Sequence, residues 1–136
     1  DTAPEMSQEN VEMVRSVYEP LNRADWEAVF RDAHPGFEIT TQRGPAAGTY
    51  RGQDAVRKQV QDLLAPFEVW TVEPAEFFDT GDHVVVFVRV RSRPKGASVD
   101  MEVRNGHLWT IRDGTIRSLK TFAVREEALE AAGLSG

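Results

Sequence analysis

The spacing of hydrophobic residues changes once along the chain, near Phe67. Before this point, apolar residues recur every three or four positions, which is typical of amphipathic helices; after it they alternate with polar residues, as in half-buried strands. The first helix is predicted to begin at Ser7, whose side chain can cap free backbone N–H groups. Its apolar face consists of Val11, Val14, Tyr18 and Leu21.

Two more short helices and one strand are predicted before the change of period. Asp25 is expected to cap the second helix, which His34-Pro35-Gly36 should end. Residues 37–42 are predicted to form a strand and residues 43–49, which contain two glycines and a proline, a loop. The third helix is expected to open at Gly52-Gln53-Asp54 and to end at Pro66.

The second half of the chain is predicted to be a strand meander. Strands are expected at 68–78, 83–93, 98–112 and 115–124, joined by turns rich in glycine, proline and aspartate. A last helix should start near Arg125, with Gly133 at its C-terminal end. Helices grouped before antiparallel strands indicate an α+β fold with a single domain over residues 7–134.

The hairpin between residues 83 and 112 assigns a face to each of its side chains. Placing Arg93 opposite Ser98 sets Arg91 against Asp100 and Arg89 against Glu102, so opposite charges meet across the strands. A slip of one residue would exchange the two faces. The arginine row is therefore predicted to be solvated, with anion binding as the alternative. The apolar face comprises Val84, Val86, Val88, Val90, Val99, Met101, Val103, Trp109 and Ile111.

Two polar residues, Asn105 and His107, share that apolar face. A histidine there is either a satisfied core residue or a functional group, and an apolar concavity with a few polar groups is the usual form of a ligand site. Tyr18 on the first helix poses the same choice, because its ring can pack while its hydroxyl needs a partner. His107 is thus the candidate catalytic residue.

Composition limits the possible partners. The 136 residues carry a net charge of −6 and no cysteine, which argues against nucleic-acid binding and excludes thiolate chemistry and cysteine-type zinc sites. The absence of cysteine favours a cytoplasmic location, and no apolar run is long enough for a membrane span. Residues 1–6 are expected to be a disordered start or a non-native remnant.

Cofactor and metal sites are not expected. The chain has no Gly-x-Gly-x-x-Gly motif, no phosphate loop and no nucleophile elbow. His34, His83 and His107 lack the short spacings that are typical of metal ligands.

Four segments together resemble the SnoaL-like branch of the nuclear transport factor 2-like superfamily. They are Val-Tyr-Glu-Pro-Leu-Asn-Arg-Ala-Asp-Trp-Glu-Ala at 17–28, Gly-Thr-Tyr-Arg-Gly at 48–52, Gly-Asp-His-Val at 81–84 and Leu-Trp-Thr-Ile-Arg-Asp-Gly-Thr-Ile at 108–116. The resemblance implies a cone of curved antiparallel sheet wrapped on three N-terminal helices, a deep pocket and a homodimer. Val85, Phe87 and Leu108 could contribute to the dimer.

The best-known catalytic sets of this superfamily are missing. The tyrosine, the aspartate base and the aspartate donor of ketosteroid isomerases fall on Val17, Thr41 and His107, so no carboxylate can move the proton. The Asp-Arg-Asp set of limonene epoxide hydrolases falls near Val88 and Val90 and on Thr121.

Two functions remain open from the sequence. One is a protein that binds a small, mainly hydrophobic metabolite in a pocket lined by Tyr18, Thr41, Asn105, His107, Trp109 and Thr121. The alternative is a SnoaL-like enzyme of the isomerase, cyclase, dehydratase or hydrolase type, with His107 as general acid or base at neutral pH.

Overall fold

The computed structural model describes residues 3–42, 44 and 47–134, with side chains from Gln8 onward. The elements of these residues are α1 (Ala3–Asn22), α2 (Trp26–Val29), β1 (Ala33–Thr41), β2 (Gly48–Arg51), α3 (Gln53–Leu64), β3 (Phe67–Asp79), β4 (His83–Pro94), β5 (Met101–Arg112), β6 (Thr115–Phe122) and α4 (Arg125–Ala131).

All six strands belong to one curved sheet with the order β2-β1-β6-β5-β4-β3. The predicted α+β class and cone are confirmed, with one correction to the antiparallel pairing. β1 runs parallel to β6, whereas the other neighbouring strands are antiparallel. A parallel neighbour requires a long connection, which the chain from β2 to β5 provides.

The inner face of the sheet packs against helices α1, α2 and α3. Val14, Val17 and Tyr18 of α1 and Val56 of α3 are buried against it. The sheet contributes the other fully buried members of this cluster: Phe37, Ile39, Val72, Val84, Val86, Val88, Val90, Trp109, Ile111, Ile116 and Leu119. The hydrophobic spacing of the sequence correctly placed part of this cluster in the core: Val14, Tyr18, Val84, Val86, Val88, Val90, Trp109 and Ile111.

Helix α4 covers part of the outer face. Val85, Phe87 and Leu108 form a second buried cluster with Ala128 of α4, so these three residues are not the exposed dimer surface that the sequence predicted. Gly106 permits this contact, since a Cβ atom built on it would lie 2.8 Å from the Ala128 Cβ.

Several element boundaries differ from the prediction. Helix α1 begins at Ala3, so residues 3–6 are helical where a disordered start was expected and Ser7 is not the cap. Residues 1–2 of that expected start lie outside the described residues. Residues 34–36 lie inside β1, because an irregularity in the pairing between Ala33 and Glu38 accommodates the Pro-Gly pair. Strand β2 occupies part of the predicted loop and pairs with β1, with the hydroxyls of Thr40 and Thr49 2.9 Å apart.

The predicted register of β4 and β5 is wrong by two residues. Ser92 pairs with Met101, so Arg91 faces Glu102 and Arg89 faces Arg104. The hairpin connection is longer than predicted because β5 begins at Met101 rather than at residue 98. A shift of two residues keeps each side chain on the same face of the sheet. Arg89 forms its ion pair with Glu73 on β3 instead, at 2.8 Å.

The shift also exposes residues that were predicted to be core. Val99 is 70% exposed, Met101 51% and Val103 43%, because the start of β5 extends beyond the helices that cover the inner face.

Candidate functional site

Three aromatic residues form a hydrogen-bonded chain at the centre of the inner face. Trp109 Nε1 donates to the Tyr18 hydroxyl at 2.9 Å, and that hydroxyl lies 2.9 Å from His107 Nδ1. The Tyr18 and His107 rings are stacked at 5.8 Å with an interplanar angle of 8°, and the Trp109 ring meets Tyr18 edge-on. α1 supplies the tyrosine, and β5 supplies the other two residues. His107 and Trp109 are two positions apart on this strand, so their side chains lie on the same face.

The donors in this chain determine the tautomer of His107. An indole N–H can only donate, so the Tyr18 oxygen accepts from Trp109. Within the described residues the hydroxyl proton of Tyr18 has no acceptor other than His107 Nδ1. Nδ1 is then the acceptor, and the neutral imidazole carries its proton on Nε2.

Burial keeps both titratable members of the chain neutral. Desolvation raises the pKa of Tyr18 well above its ordinary value, and the hydrogen bond from Trp109 offsets only part of this rise. Desolvation also lowers the pKa of His107 to about 4. At neutral pH, His107 is therefore a hydrogen-bond donor without charge.

A row of polar side chains continues from His107 across the sheet. His107 pairs with Thr121 on β6, and Thr121 pairs with Thr41 on β1, so the three side chains share the inner face. Asn105 lies two residues before His107 on the same face and is half-buried. The sequence assigned these four residues to one site, and the register brings them to one end of the sheet.

Nε2 of His107 is the ring nitrogen that Tyr18 does not contact. It has no hydrogen-bond partner among the described residues, and the enclosed side-chain atoms without a partner in that part of the chain are the two amide atoms of Gln59. Nε2 is thus not sealed inside the core, although the histidine as a whole is buried.

An apolar cavity of about 60 Å³ lies on the other side of Trp109. Three helices and three strands contribute its walls, and the described lining residues are apolar: Val17, Leu21, Trp26, Val29, Phe30, Ala33, Phe37, Ile39, Val56, Val60, Trp109, Ile116 and Leu119. A stacked Phe37–Trp109 pair, 6.4 Å between centroids, links this cavity to the hydrogen-bonded chain.

The structure thus divides the predicted pocket into two parts. Of the six residues that the sequence proposed, Trp109 lines the apolar cavity, and Tyr18, Thr41, Asn105, His107 and Thr121 are not among its described lining residues. Among the other cavity residues, the sequence placed Leu21 on the apolar face of the first helix without assigning it to a site. Periodicity shows that a residue faces inward, but not whether its neighbours leave a space.

The described residues hold no group of three or more histidine, cysteine, aspartate or glutamate side chains that could bind a metal. None of the helices in the described chain is both long and apolar enough to cross a membrane.

The sequence model of the SnoaL-like domain matches residues 14–119, which extend from α1 into β6 and include the hydrogen-bonded chain and the lining of the cavity but not Thr121. The chain belongs to this family. A search of the curated proteins finds no match.

Solved structures of this fold superpose over most of the chain. TerC, co-crystallised with polyporic acid, is 22% identical with a TM-score of 0.78, and the match covers 93% of this chain and 97% of TerC. An NTF2-like protein from Burkholderia thailandensis E264 is 28% identical, with a TM-score of 0.73 and coverages of 82% and 87%. Rv0760c from Mycobacterium tuberculosis, in complex with estradiol-17beta-hemisuccinate, is 17% identical, with a TM-score of 0.69 and coverages of 82% and 90%.

Proposed function

We propose that this SnoaL-like protein binds a small, mainly apolar molecule against the inner face of the sheet. The observation that carries the proposal is the apolar cavity whose wall, Trp109, is also the first donor of the hydrogen-bonded chain. A ligand beside this wall would bury apolar surface without leaving the indole N–H unpaired, since Tyr18 already accepts it.

The polar row gives the ligand a second requirement. His107 can offer one uncharged N–H from Nε2, and the hydroxyls of Thr121 and Thr41 stand in the same row. A neutral donor suits an oxygen acceptor, such as a carbonyl, better than a cation. A ligand that extends from the cavity past Trp109 to this polar row would therefore be a small apolar molecule that carries one accepting oxygen.

Two solved structures of the same fold support a small-molecule ligand in general. Polyporic acid with TerC and estradiol-17beta-hemisuccinate with Rv0760c are small organic molecules bound to proteins of the same fold. Because these relatives share only the fold with this chain, they support a pocket for a small molecule and not a particular compound.

The cavity must widen to hold such a molecule. At about 60 Å³ it is smaller than the cavity of about 150 Å³ that accepts benzene in an engineered protein. Helix α2 has four residues, none of them buried, and its Trp26 ring stacks on Phe30 at 6.0 Å. Displacement of these two half-buried rings is the proposed route by which the cavity opens.

The enzymatic alternative has less support. Because burial lowers the pKa of His107 to about 4, the ring is almost entirely unprotonated at pH 7 and cannot act efficiently as a general acid. Its Nδ1 is occupied by a tyrosine rather than a carboxylate, so no negative group would stabilise an imidazolium. These features favour hydrogen bonding over proton transfer.

The first test fills the cavity. Val60 lines it, whereas Leu63, on the same helix, is 43% exposed. Acetophenone should raise the unfolding temperature of the wild type and of Leu63→Phe, because a ligand that binds only the native state stabilises it. Val60→Phe should lose this rise. An equal rise in both variants would contradict binding in the cavity.

The second test separates the oxygen acceptor from the apolar part. Cumene has nearly the shape of acetophenone but no oxygen, so the ratio of the two affinities reports the hydrogen bond. We expect His107→Leu to lower the acetophenone affinity about tenfold relative to cumene, and His107→Gln, which keeps an N–H donor, to lower it less. An unchanged ratio in His107→Leu would remove His107 from the binding site.

A further inference from the structure

The outer face of the sheet carries a groove of about 160 Å³ next to the start of α4. It is lined by Ala75 and Glu76 of β3, Phe87 to Arg89 of β4, Arg104 of β5 and Arg125 of α4. This groove is separate from the proposed pocket, because the sheet itself lies between them.

Three arginines converge on this groove. Arg89 and Arg104 are directly paired across β4 and β5, and Arg125 holds its guanidinium 4.8 Å from the centre of the Phe87 ring. Like charges directly opposite each other destabilise a sheet. The sequence-based register had placed a glutamate opposite Arg89, so the observed pair lacks the cross-strand compensation that was expected.

Carboxylates neutralise this cluster only in part. Glu73 binds Arg89 at 2.8 Å, and Glu76 is the acidic residue of the groove lining. Neither Arg104 nor Arg125 forms an ion pair with the described residues. Two guanidinium groups thus keep free donors beside a common groove.

We propose that this groove binds a small oxyanion, a carboxylate or phosphate group, between Arg104 and Arg125. Guanidinium groups bind such anions through paired N–H donors in a fixed planar geometry. The Phe87 ring and Ala75 provide an apolar wall for the rest of a small ligand. An anion there would also relieve the repulsion between Arg89 and Arg104.

Calorimetric titration with sodium phosphate and with sodium malonate, at an ionic strength held constant with sodium chloride, tests the site and distinguishes the two anion types. We expect saturable binding of at least one anion, and about tenfold weaker binding in Arg104→Gln and in Arg125→Gln, as for the loss of a charge-assisted hydrogen bond. Arg57→Gln is the matched control, because Arg57 is exposed on α3 and paired with Asp54.

A gain in affinity for Glu76→Gln would support the site further, because it removes the negative charge from the lining. The proposal fails if neither anion binds in a saturable way. It also fails if Arg104→Gln and Arg125→Gln bind the anion as tightly as the wild type and the Arg57→Gln control do. It also fails if light scattering finds a dimer that Arg104→Gln dissociates, since the groove would then be an interface. Arg104 is exposed, so these variants should remain folded.

Discussion

Strands β4 and β5 carry different kinds of side chain on their two faces. On the inner face, Trp109 and His107 are buried, and their polar atoms are joined to Tyr18 in a hydrogen-bonded chain. On the outer face, Leu108 and Phe87 pack under α4, and beyond α4 the strands carry exposed arginines.

The difference concerns what charged and uncharged side chains contribute to stability and to binding in this acidic protein. The outer ion pairs are exposed, as in Arg89–Glu73 and Arg93–Glu68, and such pairs contribute little to stability. On the inner face an uncharged histidine is sheltered from water, and its neutrality is required by burial. The binding chemistry is therefore expected from a few neutral groups rather than from the numerous carboxylates.

The largest predicted effect comes from the wall shared by the cavity and the hydrogen-bonded chain. Trp109→Ala should lower the free energy of unfolding by about 3–5 kcal/mol, because it leaves a large cavity and removes the N–H that donates to the Tyr18 hydroxyl. Leu108→Ala, the adjacent position on the outer face, should cost about 2–5 kcal/mol but leave acetophenone binding intact. Urea unfolding and ligand titration measure both effects. If Trp109→Phe, the milder change, kept full stability, the Trp109 N–H would have no structural role.

On the outer face, Gly106 sets how closely α4 can approach. Gly106→Ala should destabilise the protein by about 1–3 kcal/mol, since its Cβ would meet Ala128 and the backbone of Arg125. Adding Ala128→Gly should restore part of this loss. Thermal or urea unfolding of the single and double variants tests the coupling; equal losses without any recovery would place the conflict at Arg125 instead.

The inner face should make stability depend on pH. The pKa of His107 is lowered by burial to about 4 from an ordinary value near 6.5, so the unfolded chain binds a proton that the native state excludes. This contribution is complete above pH 6.5 and is lost as the pH falls toward 4, with about 2 kcal/mol lost between pH 7 and pH 5. Urea unfolding at both pH values should show a smaller difference for His107→Gln. Identical pH profiles for the two proteins would contradict the buried, neutral histidine.

The smallest predicted change affects the middle of the hydrogen-bonded chain. Tyr18→Phe keeps the ring but removes both the donor to His107 Nδ1 and the acceptor of the Trp109 N–H, so we expect a loss of about 1–2 kcal/mol. The tautomer should respond more clearly than the stability. In ¹⁵N spectra, wild-type His107 should carry its proton on Nε2, and the variant should show both tautomers. A proton on Nδ1 in the wild type would mean that His107 donates to Tyr18, which contradicts the direction inferred for this hydrogen bond.

The sequence predicted periodic features better than it predicted contacts. Helix α3, the four long strands and the inward position of His107 follow from spacing that covers many residues, so small local errors did not disturb them. The predicted register of β4 and β5 was wrong by two residues because it depended on the length of the turn between them. In the structure, Val103 is exposed and Arg104 lies opposite Arg89. Local rules cannot fix such a register when two alternatives preserve the faces.

The candidate site was predicted as a set of inward polar residues, but its internal bonding was not. Tyr18 and His107 are separated by 89 positions, and only the packing of α1 on the sheet brings them together. The apolar cavity was missed for a related reason, since Val56, Phe30 and Ile116 look like ordinary core positions until their distances are known.

The most direct test of the account compares two buried leucines on opposite faces of the sheet. Leu119 lines the cavity and pairs with Trp109, whereas Leu108 lies under α4. During a titration of ¹³C-methyl-labelled protein with acetophenone, the Leu119 methyl signals should shift in a saturable way while those of Leu108 stay in place. Equal shifts of both leucines, or none at Leu119 at the solubility limit of acetophenone, would contradict a ligand pocket on the inner face.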